Sequence, residues 1–300
     1  MALGLTIDQV PELRSPALIC AFAGWTDAGE AASAAVRWLV RWLPGSRFAS
    51  LDAEHFHTFT STRPTARLVS GERRISWPIH DFFFHADPEK ARDLALLVAR
   101  EPELRWRAYG EAVVETARAI GATTIVTLGA FLGDTIHSRP VPLSGAATEP
   151  ELLERLRLAG AVYSTYEGPT GMASALLDAA GRAQIPGVSL WAAVPQYLPH
   201  TTNPKAALAL VRGLTHVLDV ELDFGRLEAA AAYFQRQVDQ AIANDRRATG
   251  YVRELQRRAD AEPGEPSDDE PAGELPSAEQ VIRDLETFLR TSKGSDEDDG

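Results

Sequence analysis

The sequence predicts an α/β fold: a mostly parallel central sheet with helices on both faces, followed by a C-terminal helical extension. Two features predict it. Residues 17–25, ALICAFAGW, and residues 123–133, TTIVTLGAFLG, are apolar almost throughout, as strands covered on both faces must be. Helices with legible caps alternate with such runs across short connections, which is the pattern of βα units.

The elements follow in order. The strand at 17–25 leads into a helix over 26–43, capped by Thr26 or Asp27, with Val36, Leu39, Val40 and Leu43 along one side. RFASLD, residues 47–52, is a short strand. Residues 73–85, RRISWPIHDFFFH, predict a longer extended stretch broken at Pro78. DPEKARDLALLVAREP, residues 87–102, predicts a helix with Asp87 as cap and Pro88 at its first position. A second helix over 103–122 is closed by Gly121. After the buried strand at 123–133, RPVPLSGAA reads as a prolyl strand or edge segment. A short helix over 149–160, a strand over 161–168, a helix over 170–184 and a strand over 187–194 come next. A helix over 203–219, with Asn203 as cap and Pro204 in its first turn, completes an α/β domain of residues 1–222.

Beyond it the composition changes. Residues 223–291 predict a C-terminal helical hairpin with an acidic linker at about 260–276. Leu227, Phe234, Val238, Ile242, Val252 and Leu255 recur near helical spacing in its long first helix. Ser277 and Gln280 form a capping box for the short second helix. Residues 292–300 are acidic, almost without apolar side chains, and are expected to be disordered.

Composition narrows the function. Hydrophobic residues make up 45% of the 300, enough for a sizeable core and too many for wholesale disorder. A net charge of -12 argues against nucleic acid as a partner. No apolar run approaches the roughly 20 residues of a membrane span, so no membrane partner is expected. The first residues lack a basic region followed by an apolar stretch, and Cys20 is the only cysteine; a cytoplasmic location is expected. With no HExxH, no Cys/His set, no GxGxxG and no GxSxG, neither a metal nor another cofactor is expected.

Ligands of open α/β sheets bind beyond the C-terminal strand ends. There the sequence collects Gly24, Trp25 and Asp27; Gly129, Asp134, His137 and Arg139; Tyr166, Gly168, Thr170 and Gly171; and Tyr197. The turn EGPTG can present backbone N–H groups to an anion, or can simply join strand to helix. In GDTIHSRP, Asp134 and His137 can form an acid/base pair with Arg139 for an anion, or the segment is a polar loop closed by Pro140. No catalytic residue is identifiable. The site reads either as a surface of a binding protein without chemistry or as the pocket of an enzyme or small-molecule binder. Phe82, Phe83 and Phe84 cannot all point inward from one strand, and burial of the outward ring against a second copy predicts a homo-oligomer.

The stretches LICAFAGWTDAGEAA, LDAEHFHTFTSTRP, RRISWP, EPELRWRAY, TLGAFLGDTIHSRPVPLSGAA, YEGPTGMASALL and SLWAAVPQYL occur in order, and the set resembles the PAC2 family, named for a proteasome assembly chaperone, in its bacterial branch. The resemblance covers roughly residues 15–215. It implies an α/β fold, phosphorylase/hydrolase-like, and a chaperone-like or assembly role without established catalysis. It also implies a proteasome-related partner, since eukaryotic and archaeal relatives bind proteasome α-subunits. Several of those end in a hydrophobic-Tyr-any-residue tail, and this sequence ends in DEDDG.

Overall fold

One strand divides the molecule into two cores. From Ala17–Ala23, the side chains of Ala17, Ile19 and Ala21 join one apolar cluster, while Leu18, Cys20 and Phe22 join another, as the pleat requires. The computed structural model describes residues 2–260 together with Ile282 and Leu285. The nine-stranded sheet contains β1 (Leu5–Ile7), β2 (Ala17–Ala23), β3 (Ser46–Leu51), β6 (His80–His85), β7 (Leu94–Arg100), β8 (Thr124–Gly133), β9 (Leu143–Ala147), β10 (Ala161–Tyr163) and β11 (Gly187–Pro195). Between β3 and β6, β4 (Thr65–Val69) and β5 (Glu72–Ser76) pair only with each other.

The order across the large sheet is β1-β3-β6-β7-β2-β8-β11-β9-β10. Its centre, β7-β2-β8-β11, is parallel, and β9 runs parallel to β10. The pairs β1/β3, β3/β6, β6/β7 and β9/β11 are antiparallel. Helices α1 (Ala31–Trp42) and α5 (Pro204–Leu218) pack on one face, with Leu156 of α3 (Pro150–Leu158). Helices α2 (Trp106–Ala119) and α4 (Met172–Arg182) cover the other through residues such as Tyr109, Val113, Met172 and Leu176. The α/β class and the mostly parallel centre are as the sequence predicts.

Four elements differ from expectation. Residues 94–100 form a strand, not the end of a helix. Leu94 to Ala99 are all buried, with β2 on one side and β6 on the other, and an unbroken apolar run suits a strand buried on both faces better than a one-sided helix. Asp87 caps only a local turn, accepting from the backbone N–H of Glu89 at 3.0 Å. The stretch at 73–85 does break at Pro78, but its first half folds back on β4, around Ser70 and Gly71 at φ 52° and 84°. The segment read as prolyl or an edge starts its ladder only past Pro142, and β9 lies inside the sheet while β10 is the edge.

The fourth difference is in the extension. The long helix is two: α6 (Gly225–Asn244) and α7 (Arg246–Asp260). Asp245 is extended at the break, and its carboxylate accepts from Arg247 and Ala248 N–H at 2.7 and 3.2 Å, capping α7. Phe234, Val238, Ala241 and Ile242 of α6 and Val252 of α7 form a third cluster with Ile136, Tyr197, Leu198 and Leu285. The extension therefore packs against loops of the α/β layer. The acidic linker, the remainder of the expected helix after it and the tail lie outside the described residues.

Leu97 is fully buried in β7. Leu97→Ala is expected to cost about 2–5 kcal/mol in urea unfolding through lost burial and a residual cavity. Val10→Ala, at an exposed site, is expected to stay within about 0.5 kcal/mol.

Candidate functional site

The C-terminal ends of β2, β7, β8 and β11 form one rim, and its polar groups fall into three clusters. The first centres on Glu101, just past β7. Glu101 Oε1 accepts from the backbone N–H of Met172, the first residue of α4, at 2.8 Å. Its Oε2 accepts from Trp25 N–H at 3.1 Å. A carboxylate of the chain thus occupies the electropositive start of α4, where an external anion would bind. Gly171 makes this approach possible: a Cβ there would lie 2.2 Å from Thr26 Cγ2 and 2.7 Å from Glu101 Oε1. At Gly24 a Cβ would lie 2.8 Å from Glu101 Cβ. Thr170 precedes the helix, and Tyr166 donates its hydroxyl to Pro169 O at 2.9 Å, across Gly168. Trp25 and Tyr166 are each 67% exposed.

Asp27 lies beside this cluster, buried. Its Oδ1 accepts from Ala32 and Ser33 N–H at 2.8 and 3.1 Å, capping α1 across a short 3-10 turn. Burial raises its pKa against the pull of those hydrogen bonds. Gly129 is not at the rim. It sits within β8, where a Cβ would be 2.4 Å from the Trp191 ring, so its lack of a side chain seats that indole.

The second cluster joins His137 to Tyr197; Asp134 and Arg139 lie on the same loop but bond elsewhere, and the acid that meets His137 is Asp239, not Asp134. His137 backbone N–H donates to Tyr197 Oη at 2.8 Å. The hydroxyl then donates to His137 Nδ1 at 2.7 Å, leaving Nε2–H to donate to Asp239 Oδ1 at 2.9 Å. Lys205 Nζ donates to the carbonyls of His137 and Arg139 and to Gln235 Oε1. Arg139 pairs with Asp260 at 2.5 Å, and Asp134 accepts from Gln196 at 3.0 Å. This Tyr–His–Asp chain has the connectivity of a catalytic triad. Tyr197 is fully buried, however, and burial pushes its hydroxyl pKa up. What the chain does is hold α6, which carries Asp239 and Gln235, onto the rim.

The third cluster escaped sequence reading. His57 Nε2 and His80 Nε2 are 2.8 Å apart, and His80 Nδ1 is 2.9 Å from Tyr109 Oη. His57 Nδ1 is buried without a hydrogen bond, 3.8 Å from Glu103 Oε1. Glu103 in turn accepts from Thr58 N–H at 2.7 Å and from the hydroxyls of Thr58, Ser61 and Thr62. The proximity of His55 and His57 in sequence was the one available signal, but the partner of His57 stands 23 positions away. Burial, then the neighbouring His57, lowers the pKa of His80 to about 3. Among the described residues no group of three or more His, Cys, Asp or Glu is placed to hold a metal. Two open grooves of about 660 and 740 Å³ lie away from Glu101, one by Arg14 and Asp93, the other between α5 and α6.

Comparison with known proteins gives a consistent result. The sequence profile of the PAC2 family matches residues 21–242. A PAC2 family protein from Streptomyces avermitilis MA is 44% identical, with 75% of this chain and 95% of that one covered and a TM-score of 0.71. A proteasome-assembly chaperone homologue from Mycobacterium tuberculosis is 38% identical, covering 79% of this chain and 99% of its own, also with a TM-score of 0.71. PbaB of Pyrococcus furiosus, an archaeal proteasome activator, is 18% identical and shares the fold at a TM-score of 0.64, with 79% and 97% covered. No curated protein matches.

Two outcomes follow from the rim. Glu101→Ala removes the charge-assisted cap of α4 and is expected to cost about 2–3 kcal/mol, with Glu101→Gln milder, both read by urea unfolding. Burial favours the neutral forms of His57, His80 and His137 in the folded chain. The unfolded chain takes up protons below about pH 6.5, so this stability is complete above that pH and drains as pH falls. With its folded pKa near 3, His80 alone contributes a loss of about 1.4 kcal/mol per pH unit between about pH 6.5 and its folded pKa, and none below. Asp27 works with the opposite sign in the carboxylate range. His80→Asn should lower stability at neutral pH yet flatten the acid limb; an unchanged limb would assign the loss to other groups.

Proposed function

The chain belongs to the PAC2 family, and from that premise we propose that it is an assembly or chaperone-like protein that works by binding, without catalysis. One observation carries the reading: the carboxylates and imidazoles at the strand-end rim bind groups of the same chain. Glu101 caps α4, Asp27 caps α1, and His137 with Asp239 fastens α6. Groups held this way serve the fold, and contact with other molecules falls to the surface. The large exposed side chains at the rim, Trp25 and Tyr166, suit protein contact, since Trp and Tyr are favoured anchors of protein interfaces.

The partner proposed is the proteasome α-subunit of the same cell, in the cytoplasm, together with further copies of the chain. The 38% identity to a proteasome-assembly chaperone homologue supports it. Of the twelve residues singled out in the sequence, Trp25 and Tyr166 are assigned to partner contact, Gly129 to seating Trp191 within β8, and the rest to building the rim.

Affinity capture of α-subunits by the purified chain tests the reading. The unaltered chain is expected to retain them, and the Trp25→Ser, Tyr166→Ser double variant, folded by circular dichroism, to retain at least about tenfold less, as loss of interface anchors should cause. Absence of α-subunits from the captured material, together with normal ring assembly in a deletion strain, would refute it.

A further inference from the structure

Among the described residues, nothing covers the hairpin of β4 and β5. All ten strand residues are exposed, and neither strand joins the large sheet. Isolated two-stranded hairpins are marginal in water and need a surface to lie on. Cross-strand partners share a face, so the register sorts the side chains. Ala66, Ile75, Leu68 and Arg73 lie on one face, continued by Trp77. Leu68 is 73% exposed, Ile75 52% and Trp77 50%, the last resting edge-on against Phe59. On the opposite face Arg67 stands directly across from Arg74, and Glu72 pairs with Arg74 at 3.4 Å, which leaves the face net positive.

The far edge of the sheet has the complementary problem. β10 is the last strand, with no neighbour on its outer side among the described residues. There Val162 is 71% exposed, Tyr163 59% and the adjacent Leu158, at the end of α3, 66%. Open edges with apolar side chains are sites of strand or protein association. Residues 149–168 around this edge carry four glutamates and two arginines, whereas residues 63–77 of the hairpin carry four arginines and one glutamate.

We propose that the hairpin is an arm that docks on the β10–α3 edge of a second copy of this chain. This rests on the self-association included in the function proposed above. The arm cannot reach its own edge. It leads into β6, third in the sheet order, and β10 is ninth; six strand spacings are about 29 Å, while five strand residues extend about 17 Å. Charge favours the contact: the arginine-rich arm meets the glutamate-rich β10–α3 edge of another copy. Two different surfaces meeting head to tail make a heterologous contact, which builds a ring where its rotation closes and an open filament where it does not.

Light scattering at micromolar concentration tests it with two variants altered only at exposed positions. One carries Leu68→Asp and Ile75→Asp in the arm, the other Leu158→Asp and Val162→Asp at the edge; circular dichroism checks that both fold. The unaltered chain is expected at a multiple of its 32.6 kDa mass, and each variant alone at the mass of one chain. Mixed, the variants are expected to associate as two chains, because the intact arm of one meets the intact edge of the other. A wild-type mass retained by either variant, or a mixture that stays single, overturns the arm-to-edge contact while leaving self-association standing. A single-chain mass for the unaltered protein overturns both, and neither result bears on capture of α-subunits.

Discussion

The rim is organised around one carboxylate. Glu101 leaves the end of β7, reaches across the loop after β2 and ends at the first N–H of α4. A helix start leaves donors unsatisfied and carries partial positive charge, so a negative group there is favourable wherever it comes from. Because the chain supplies that group itself, three elements far apart in sequence are tied at one point. The glycines at 24 and 171 are then explained by clearance: a methyl at either place would occupy space that Glu101 or Thr26 holds. A turn that reads in sequence as an anion site is an anion site whose anion is internal.

The same economy governs the other side of the rim. A tyrosine, a histidine and an aspartate in hydrogen-bonded series are the parts of a proton relay, yet here the series runs from the α/β layer into α6 and is buried at its tyrosine end. Buried polar groups must find partners. Once α6 packs Phe234 and Val238 over the loop that carries Ile136, a matched polar chain beneath is what keeps that packing in one register.

How much of this was legible depended on whether the signal was local. Caps are local, and Asp27 and Asn203 were readable because a cap acts within a few residues. The helix expected over 87–102 arose because Asp87, Pro88 and Glu89 form a persuasive helix start, while what decides the fate of Leu94 to Ala99 is burial between β2 and β6, a tertiary fact. The return of the chain at Ser70–Gly71 was marked by a turn dipeptide, but its flanks alternate weakly because neither face meets a core among the described residues. Glu101 and Glu103 had no marker at all, and the His57–His80 contact only the closeness of His55 to His57, since each acts on partners brought near only by the sheet order.

That order also bears on how the molecule comes into being. β2 is the first core strand to be synthesised, and both its neighbours are encoded well after it: β7 arrives five strands later in the chain and β8 after that. Until then an apolar ribbon with two open edges and two uncovered faces has no native partner, and pairing across such separations carries the loop-closure cost that slows folding. Chains in that condition are open to wrong association during synthesis. The strand that later divides the two cores is thus the one that waits longest in the growing chain, and vectorial synthesis leaves the centre of the sheet to be completed from its middle outward only once residue 133 has emerged.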